Sequence, residues 1–156
     1  NERKTLFEVA RHLSEVVAFI EFPDRIVAET EKVDGNLITA TNAGARLGVL
    51  GQRLKVDPTP EFVAALEKIT VTATDHNGAE LANAKGDALL GHPLNPVLWL
   101  IKDLAATDEK LKTGDLISLG SFARPQSPQA GQTVTVRYDG LPGGPLKVSV
   151  QFFSSP

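Results

Sequence analysis

The sequence contains no cysteine and no methionine among its 156 residues. The absence of cysteine excludes disulfides, thiolate nucleophiles and sulfur-ligated metal centres, but it leaves the cellular compartment open. The absence of methionine indicates that Asn1 is not the residue at which translation starts. We therefore expect the chain to be a fragment or a processed product, and we expect a cytoplasmic location with an exported one as the alternative.

Net charge and long apolar runs are also scarce. The formal net charge is −3 at pH 7, and no cluster of Lys and Arg alternates with aromatic residues, so nucleic acids and anionic membranes are poor partners. No apolar run approaches the roughly 20 residues that a membrane span requires. With 42% hydrophobic and 22% charged residues, the composition predicts one soluble globular domain over residues 1–156, with a small molecule as its partner.

Hydrophobic periodicity predicts few helices and many strands. The predicted helices occupy residues 5–17, 61–68 and 94–106, and Thr59 or Asp57 can cap the second. The predicted strands occupy residues 18–22, 69–75, 79–84, 115–121, 133–138 and 146–153, while residues 37–51 are expected to be irregular strand or loop. Because the strands do not alternate with helices in a βαβ rhythm, we expect an α+β domain.

The most informative stretch runs from Gly91 to Leu100. It reads Gly-His-Pro-Leu-Asn, then three residues, then Trp-Leu, and Pro93 suits a first helical turn because it lacks an N–H. Two further segments follow in the sequence, Leu-Lys-Thr-Gly-Asp-Leu-Ile at 111–117 and Gln-Ala-Gly-Gln-Thr-Val at 129–134. Over nearly all of its length the chain thereby resembles the C-terminal part of the 2-keto-4-pentenoate hydratases, which belong to the fumarylacetoacetate hydrolase superfamily.

The resemblance implies a mixed β-roll of the fumarylacetoacetate hydrolase type with a few peripheral helices, assembled into a homo-oligomer. It also implies a hydro-lyase that adds water across the C=C bond of a 2-oxo-4-enoic acid, with metal assistance, through a dienol or enolate. Similar sequences decarboxylate 2-oxo-3-enedioates through the same enolate, and the residues do not separate these two activities. A non-catalytic binding or assembly module with the same fold is the alternative from another class.

Glu21 is conspicuous because it interrupts an apolar strand, where a charge is costly unless it is paired or coordinated. The resemblance implies that Glu21 is a ligand of a divalent ion, Mg²⁺ or Mn²⁺, which prefers carboxylate and water oxygens. It further implies that the other ligands, a Glu-x-Glu pair, and a lysine lie upstream, outside this chain. The alternative is that Glu21 forms an ion pair with Arg25 or another cation.

Asn42 is a predicted substrate contact. Thr41-Asn42-Ala43-Gly44 lies where the family commonly shows Asp-Asn-Ala-Ser, and the Asn42 amide can donate to a substrate carboxylate. Thr41 and Gly44 depart from that pattern, which leaves the proton-transfer chemistry open and favours the non-catalytic alternative. A Gly-rich segment that merely packs closely is the other interpretation of this stretch.

Ser121 is the second predicted substrate contact, because it follows Gly120 in a segment that borders the pocket of the family. His92 stands just before Pro93, and we expect it to be a structural hydrogen-bonding group rather than a base. The sequence has no Gly-x-Ser-x-Gly elbow, no His-Glu-x-x-His and no P-loop, so hydrolase, protease and nucleotide-binding functions lack their minimum parts. No residue is assigned as the catalytic acid or base.

Overall fold

The computed structural model describes residues 2–24, 27–28 and 30–154. The helices within these ranges are α1 Glu2–Ala10, α2 Gly35–Ala40, α3 Pro60–Lys68 and α4 Asn95–Ala105. The strands are β1 Glu15–Phe22, β2 Leu47–Lys55, β3 Thr70–Thr74, β4 Glu80–Lys85, β5 Thr133–Asp139 and β6 Leu146–Gln151. Short 3-10 turns occupy Asn42–Gly44 and Gly86–Ala88.

The described strands form two antiparallel sheets, β1-β2 and β4-β3-β5-β6. In the smaller sheet Glu15 lies opposite Lys55 and Phe22 lies opposite Leu47, with a register shift between Val17 and Phe19. Opposite this shift β2 has an extra residue, and the side-chain oxygen of Gln52 accepts a hydrogen bond of 2.9 Å from the backbone N–H of Lys147 on β6. The bulge therefore joins the two sheets.

Close approach of β2 to β6 depends on Gly51. A Cβ atom at this position would lie 2.5 Å from the carbonyl oxygen of Lys147 and 2.5 Å from the Cβ of Val148. Real Cβ atoms do not come this close to other heavy atoms, so any larger residue would push the strands apart.

One cluster of buried side chains lies between the helices and the strands. Helix α1 contacts both α3 and α4. On α3 the Thr59 hydroxyl accepts a 3.1 Å hydrogen bond from the N–H of Phe62, and Pro60 occupies the first turn, as the predicted cap requires. The cluster contains Leu6, Val9, Ala10, Ala18, Val56, Phe62, Val63, Leu66, Ile69, Val71, Leu94, Val97, Leu141, Leu146 and Val148.

The α+β class is confirmed, and so are five of the six predicted strands and the helices near residues 61–68 and 94–106. The predicted helix over residues 5–17 is wrong beyond Ala10, because Val16 and Val17 join β1 and pair with Leu54 and Arg53. The helix also begins earlier than predicted, at Glu2 instead of Thr5. Pairing with a distant strand overrides the local helical spacing here.

The predicted strand over residues 115–121 is also wrong, since these residues belong to no sheet of the described chain. Ile117 and Leu119 nevertheless pack against the buried cluster. The alternation of apolar residues thus reflects burial of one face without a neighbouring strand. Residues 37–51, expected to be irregular, contain the end of α2, a 3-10 turn and the start of β2.

No helix in the described ranges combines the length and the apolar character that a bilayer crossing demands.

Candidate active site

An open cavity of about 990 Å³ is lined by β1, by strands of the four-stranded sheet and by the segment 115–128, which we call the wall segment. Most of its lining is apolar, including Phe22, Val71 and Val136. Pockets of this size with few polar groups are typical of small-molecule sites. Among the residues that the structure describes, the charged ones that line it are Glu15, Glu21, Asp115 and Arg124.

Glu21 lies near the end of β1, opposite Gly48 of β2, and lines the cavity. Its side chain is exposed, and it makes no hydrogen bond or ion pair with any residue that the structure describes. The alternative pairing with Arg25 lies outside the described residues. The Glu21 carboxylate is therefore available to a ligand of the cavity from within the described part of the chain.

The other two carboxylates of the cavity are engaged. Glu15 forms a 2.8 Å ion pair with Arg53, and Asp115 accepts a 2.7 Å hydrogen bond from the backbone N–H of Lys112. Within residues 2–24, 27–28 and 30–154 no group of three or more His, Asp or Glu residues is arranged to hold a metal ion. Among the carboxylates of the described residues that line the cavity, Glu21 is thus the one without a partner, and these residues do not form a complete metal site.

Asn42 belongs to a turn that is tied to the end of β1. The N–H of Asp24 donates a 2.8 Å hydrogen bond to the carbonyl oxygen of Gly44, and Arg46 forms an ion pair with Asp24. Asn42, Ala43 and Gly44 all have left-handed backbone angles, with φ of 51°, 55° and 70°. A Cβ at Gly44 would lie 2.9 Å from the Asp24 carbonyl oxygen, so a glycine at this position permits the close approach of the turn to Asp24.

This turn brings Ala43 into the cavity wall, whereas Asn42 is exposed beside it and outside the wall. The role of Asn42 as a substrate contact stays a prediction. Ser121 does line the cavity, but its hydroxyl donates to the carbonyl oxygen of Ala123 in its own turn. An oxygen atom of a bound substrate would have to compete with the Ala123 carbonyl oxygen for the proton of the Ser121 hydroxyl, or share that proton with it. The role of Ser121 also stays a prediction.

Tyr138 is a cavity residue that the sequence analysis missed. Its hydroxyl donates a 3.0 Å hydrogen bond to the carbonyl oxygen of Phe19, and its ring meets Phe122 edge-on at 6.2 Å. Burial raises the pKa of the Tyr138 phenol above the ordinary 10.0, so it remains a neutral donor at physiological pH. In the sequence Tyr138 is the single Tyr of the chain and lies in a predicted strand of alternating apolar and polar residues. This pattern does not by itself indicate a functional site.

Arg124 is the other residue that was missed. Among the described residues that line the cavity it is the one cation, and it forms no hydrogen bond or ion pair with described residues. In the sequence it is a single Arg in a Pro-rich connection, a context that is usually a solvated turn.

The expected structural role of His92 is confirmed. Its side chain is 5% exposed and bridges α3 and the entrance of α4. The backbone N–H of Leu94 donates to Nδ1 at 3.0 Å, so Nε2 carries the proton and donates to the Val63 carbonyl oxygen at 2.9 Å. Helix α4 begins at Asn95 rather than at Pro93, and Pro96 takes the first-turn position.

Comparison with known proteins decides the family. The chain is 32% identical over 146 residues to the 2-oxo-hept-4-ene-1,7-dioate hydratase of Escherichia coli. The alignment covers 88% of this chain and 51% of that enzyme. It is 27% identical over 141 residues to 2-keto-4-pentenoate hydratase 1 of Dechloromonas aromatica, covering 90% and 51% of the two chains. This chain belongs to the 2-keto-4-pentenoate hydratase family. No protein-family model matches it.

A solved structure supports membership of the hydratase family. The 4-oxalocrotonate decarboxylase of Pseudomonas putida G7, complexed with magnesium and adipate, superposes with a TM-score of 0.79 at 28% identity. The match covers 95% of this chain and 52% of the decarboxylase. This member of the hydratase family thus spans about half the length of the relatives that it matches.

Proposed function

We propose that this chain contributes part of the active site of a hydratase that adds water across the C=C bond of a 2-oxo-4-enoic acid and gives a 4-hydroxy-2-oxo acid. The observation that carries the proposal is the Glu21 carboxylate, which lines an apolar cavity of about 990 Å³ without a partner among the described residues. The names of the matched hydratases support the reaction and the substrate class.

We infer that Glu21 supplies one ligand of a divalent metal, Mg²⁺ or Mn²⁺. A free carboxylate is the hard oxygen donor that such ions prefer, and magnesium in the related decarboxylase supports the assignment. Because the described residues do not complete a site, the remaining ligands would come from residues outside the described ranges. When bound, the ion supplies Lewis-acid polarisation of the 2-oxo group.

The residues of this chain then hold and shield the substrate. The apolar walls exclude water from the carbon chain, which strengthens polar interactions at the 2-oxo end. Asn42 donates its amide to the substrate carboxylate, and Ser121 adds a hydroxyl contact. The ion pair of Arg46 with Asp24 keeps the Asn42 turn next to the end of β1, where Glu21 lies.

The proposal extends to architecture. We propose that residues 1–156 form one domain with the β-roll of the fumarylacetoacetate hydrolase type, in a cytoplasmic homo-oligomer. The two antiparallel sheets joined through Gln52 and Tyr138 support the roll. The exposed Leu47 on β2, at 66%, supports association, because an apolar side chain on a strand at a sheet edge favours contact with another subunit.

The reaction is tested by incubating the purified full-length protein with a 2-oxo-4-enoic acid and Mg²⁺ and identifying the product by mass spectrometry. We expect a mass gain of one water and its loss in Glu21→Gln. Glu67→Gln, an exposed acid on α3 away from the cavity, is the matched control and should keep the activity. Water addition that survives unchanged in Glu21→Gln would contradict the assignment.

A decarboxylase is the second candidate, favoured by the fold match to 4-oxalocrotonate decarboxylase. Supplying a 2-oxo-3-enedioate and measuring CO₂ separates the two reactions, because hydration keeps every carbon of the substrate. Release of CO₂ without hydration would establish the decarboxylase. Neither product, with intact metal binding, would support the non-catalytic module.

A further inference from the structure

We infer that Tyr138 is a positioning residue of the site. Its hydroxyl holds the Phe19 carbonyl oxygen and thereby fixes residues 19–22, the part of β1 after the register shift, which carries Glu21. We call these four residues the second half of β1. For the ligand that Glu21 binds, this role rests on the proposed function. The positioning itself rests on the contacts of β1.

The register shift divides β1 into two parts. Before the shift Val17 lies opposite Arg53, and after it Phe19 lies opposite Leu50, so β2 has one extra residue between these pairs. A bulge of this kind interrupts the hydrogen-bond ladder and bends the strand that contains it. The position of the second half of β1 therefore depends on contacts of its own as well as on the pairing of residues 15–17.

Phe19 is held at its backbone and at its ring. The carbonyl oxygen accepts the 3.0 Å hydrogen bond from Tyr138, which belongs to the other sheet. The ring lies over Gly48, where a Cβ atom would lie 2.3 Å from Cε2 of Phe19. Gly48 lies opposite Glu21, and residues two apart on a strand share a face, so the Phe19 ring lies on the face that carries Glu21. Fixing Phe19 thus fixes the strand two residues before Glu21.

Tyr138 has a well-determined position from which to do this. It lies on β5, an inner strand of the four-stranded sheet, and it pairs with Val71 of β3 on one side and with Leu146 of β6 on the other. The hydrogen bond from its hydroxyl therefore ties Phe19 to the sheet that forms another wall of the cavity.

Loss of the Tyr138 hydroxyl should move Glu21 without unfolding the chain. On the far side of Glu21 the Phe22 ring still meets Phe152 edge-on at 5.7 Å, so the second half of β1 keeps one contact when it loses the other. A group that binds a ligand must be held within about 0.5 Å of its productive place. A small displacement of the strand is therefore enough to weaken binding at Glu21.

The first measurement needs no ligand. It compares backbone amide hydrogen exchange, followed by NMR, in the full-length protein and in Tyr138→Phe. Relative to residues 15–17, we expect exchange at residues 20–22 to become about fivefold faster or more, as loss of one hydrogen bond from a local opening predicts. Thr59→Val is the matched control, because it removes one hydroxyl hydrogen bond at the start of α3, and Thr59 does not line the cavity. It should not accelerate residues 20–22 more than residues 15–17. Unchanged relative exchange in Tyr138→Phe would overturn the positioning role.

The second measurement is a double-mutant cycle on Mn²⁺ binding, read by calorimetry. We expect Tyr138→Phe to weaken binding by about tenfold, the lower end of the range for residues that orient a metal ligand. Added to Glu21→Gln, it should weaken binding by less than about twofold more, because the two residues act on the same contact. Thr59→Val should bind Mn²⁺ as the unaltered protein does. A full tenfold further loss in the double variant would show that Tyr138 acts independently of Glu21 and would overturn the inference.

Together the two measurements separate this inference from the proposed function. If Glu21→Gln binds Mn²⁺ as tightly as the unaltered protein while Tyr138→Phe still accelerates exchange at residues 20–22, the metal-site proposal fails and Tyr138 remains the residue that positions β1. If Glu21→Gln weakens Mn²⁺ binding and Tyr138→Phe does not, the metal site stands and the positioning of Glu21 by Tyr138 is rejected.

Discussion

The hydroxyl of Tyr138 on β5 donates a hydrogen bond of 3.0 Å to the carbonyl oxygen of Phe19 on β1, and this bond links the two sheets beside the cavity. It is formed between residues 119 positions apart in the sequence. Because the acceptor is a backbone carbonyl next to the register shift of β1, losing the donor leaves that carbonyl without this partner.

We therefore expect Tyr138→Phe to lower the free energy of unfolding by about 1 kcal/mol.

Burial raises the pKa of Tyr138, so between the ordinary 10.0 and that higher folded value the folded state binds more protons than the unfolded state. Stability should thus be retained below pH 10.0 and fall as the pH rises above it. Since the chain has one Tyr, its ultraviolet titration reports this group directly. A phenol that titrates at or below the ordinary pKa would refute the prediction.

Metal binding should depend on Glu21. We expect Glu21→Gln to weaken Mn²⁺ binding to the full-length protein by about tenfold or more, because a neutral amide replaces a charged oxygen ligand. Glu67→Gln, an exposed acid that does not line the cavity, should bind Mn²⁺ as the unaltered protein does. Calorimetric titration measures both, and equal affinity in Glu21→Gln would remove it from the ligand set.

His92→Ala should reduce stability more than turnover. The substitution removes two hydrogen bonds and leaves the buried Val63 carbonyl oxygen without its donor, at a cost of about 1–3 kcal/mol. His12→Ala is the matched control, since His12 is exposed in the turn that follows α1, and its effect should stay within about 0.5 kcal/mol. Urea denaturation supplies the comparison. Complete loss of activity at an unchanged melting temperature would instead indicate a catalytic His92.

Gly51→Ala should destabilise the contact between β2 and β6. Its new Cβ would lie 2.5 Å from the Lys147 carbonyl oxygen, and relief of such overpacking typically costs about 1–3 kcal/mol. Gly35→Ala has no heavy atom within 4 Å of its Cβ and sits in α2, so it should be neutral or mildly stabilising. Thermal unfolding of the pair checks this, and similar melting temperatures would show that the strands yield freely.

Association should involve the exposed Leu47 of β2. We expect light scattering to give a mass well above the 16.7 kDa of the isolated chain, and Leu47→Asp to lower it. Leu90→Asp is the control, because Leu90 is similarly exposed at 68% but lies outside β2. A monomer at high concentration would contradict the homo-oligomer.

Elements with a complete local signal were predictable from the sequence. Helix α3 has its cap at Thr59 and its proline at Pro60, and the β3-β4 hairpin has the turn at Asn77 and Gly78 between alternating strands. These features depend on hydrogen bonds and side-chain spacing within a few residues. The errors at residues 11–17 and 115–121 arose where a local pattern fits two structures and a distant partner decides between them.

The sequence by itself determined the α+β class and the structural role of His92, because each follows from residue types at short and definite spacing. Its resemblance to the hydratases implied the family and the candidacy of Glu21. Only the tertiary structure decided which charges of the cavity are satisfied. Glu15 is neutralised by an arginine 38 residues away, and Tyr138 bonds to a carbonyl 119 residues away. The first pairing depends on the register of β1 against β2, and the second depends on how the two sheets meet. Glu21 and Arg124 are therefore distinguished from the other charges only once the chain has folded.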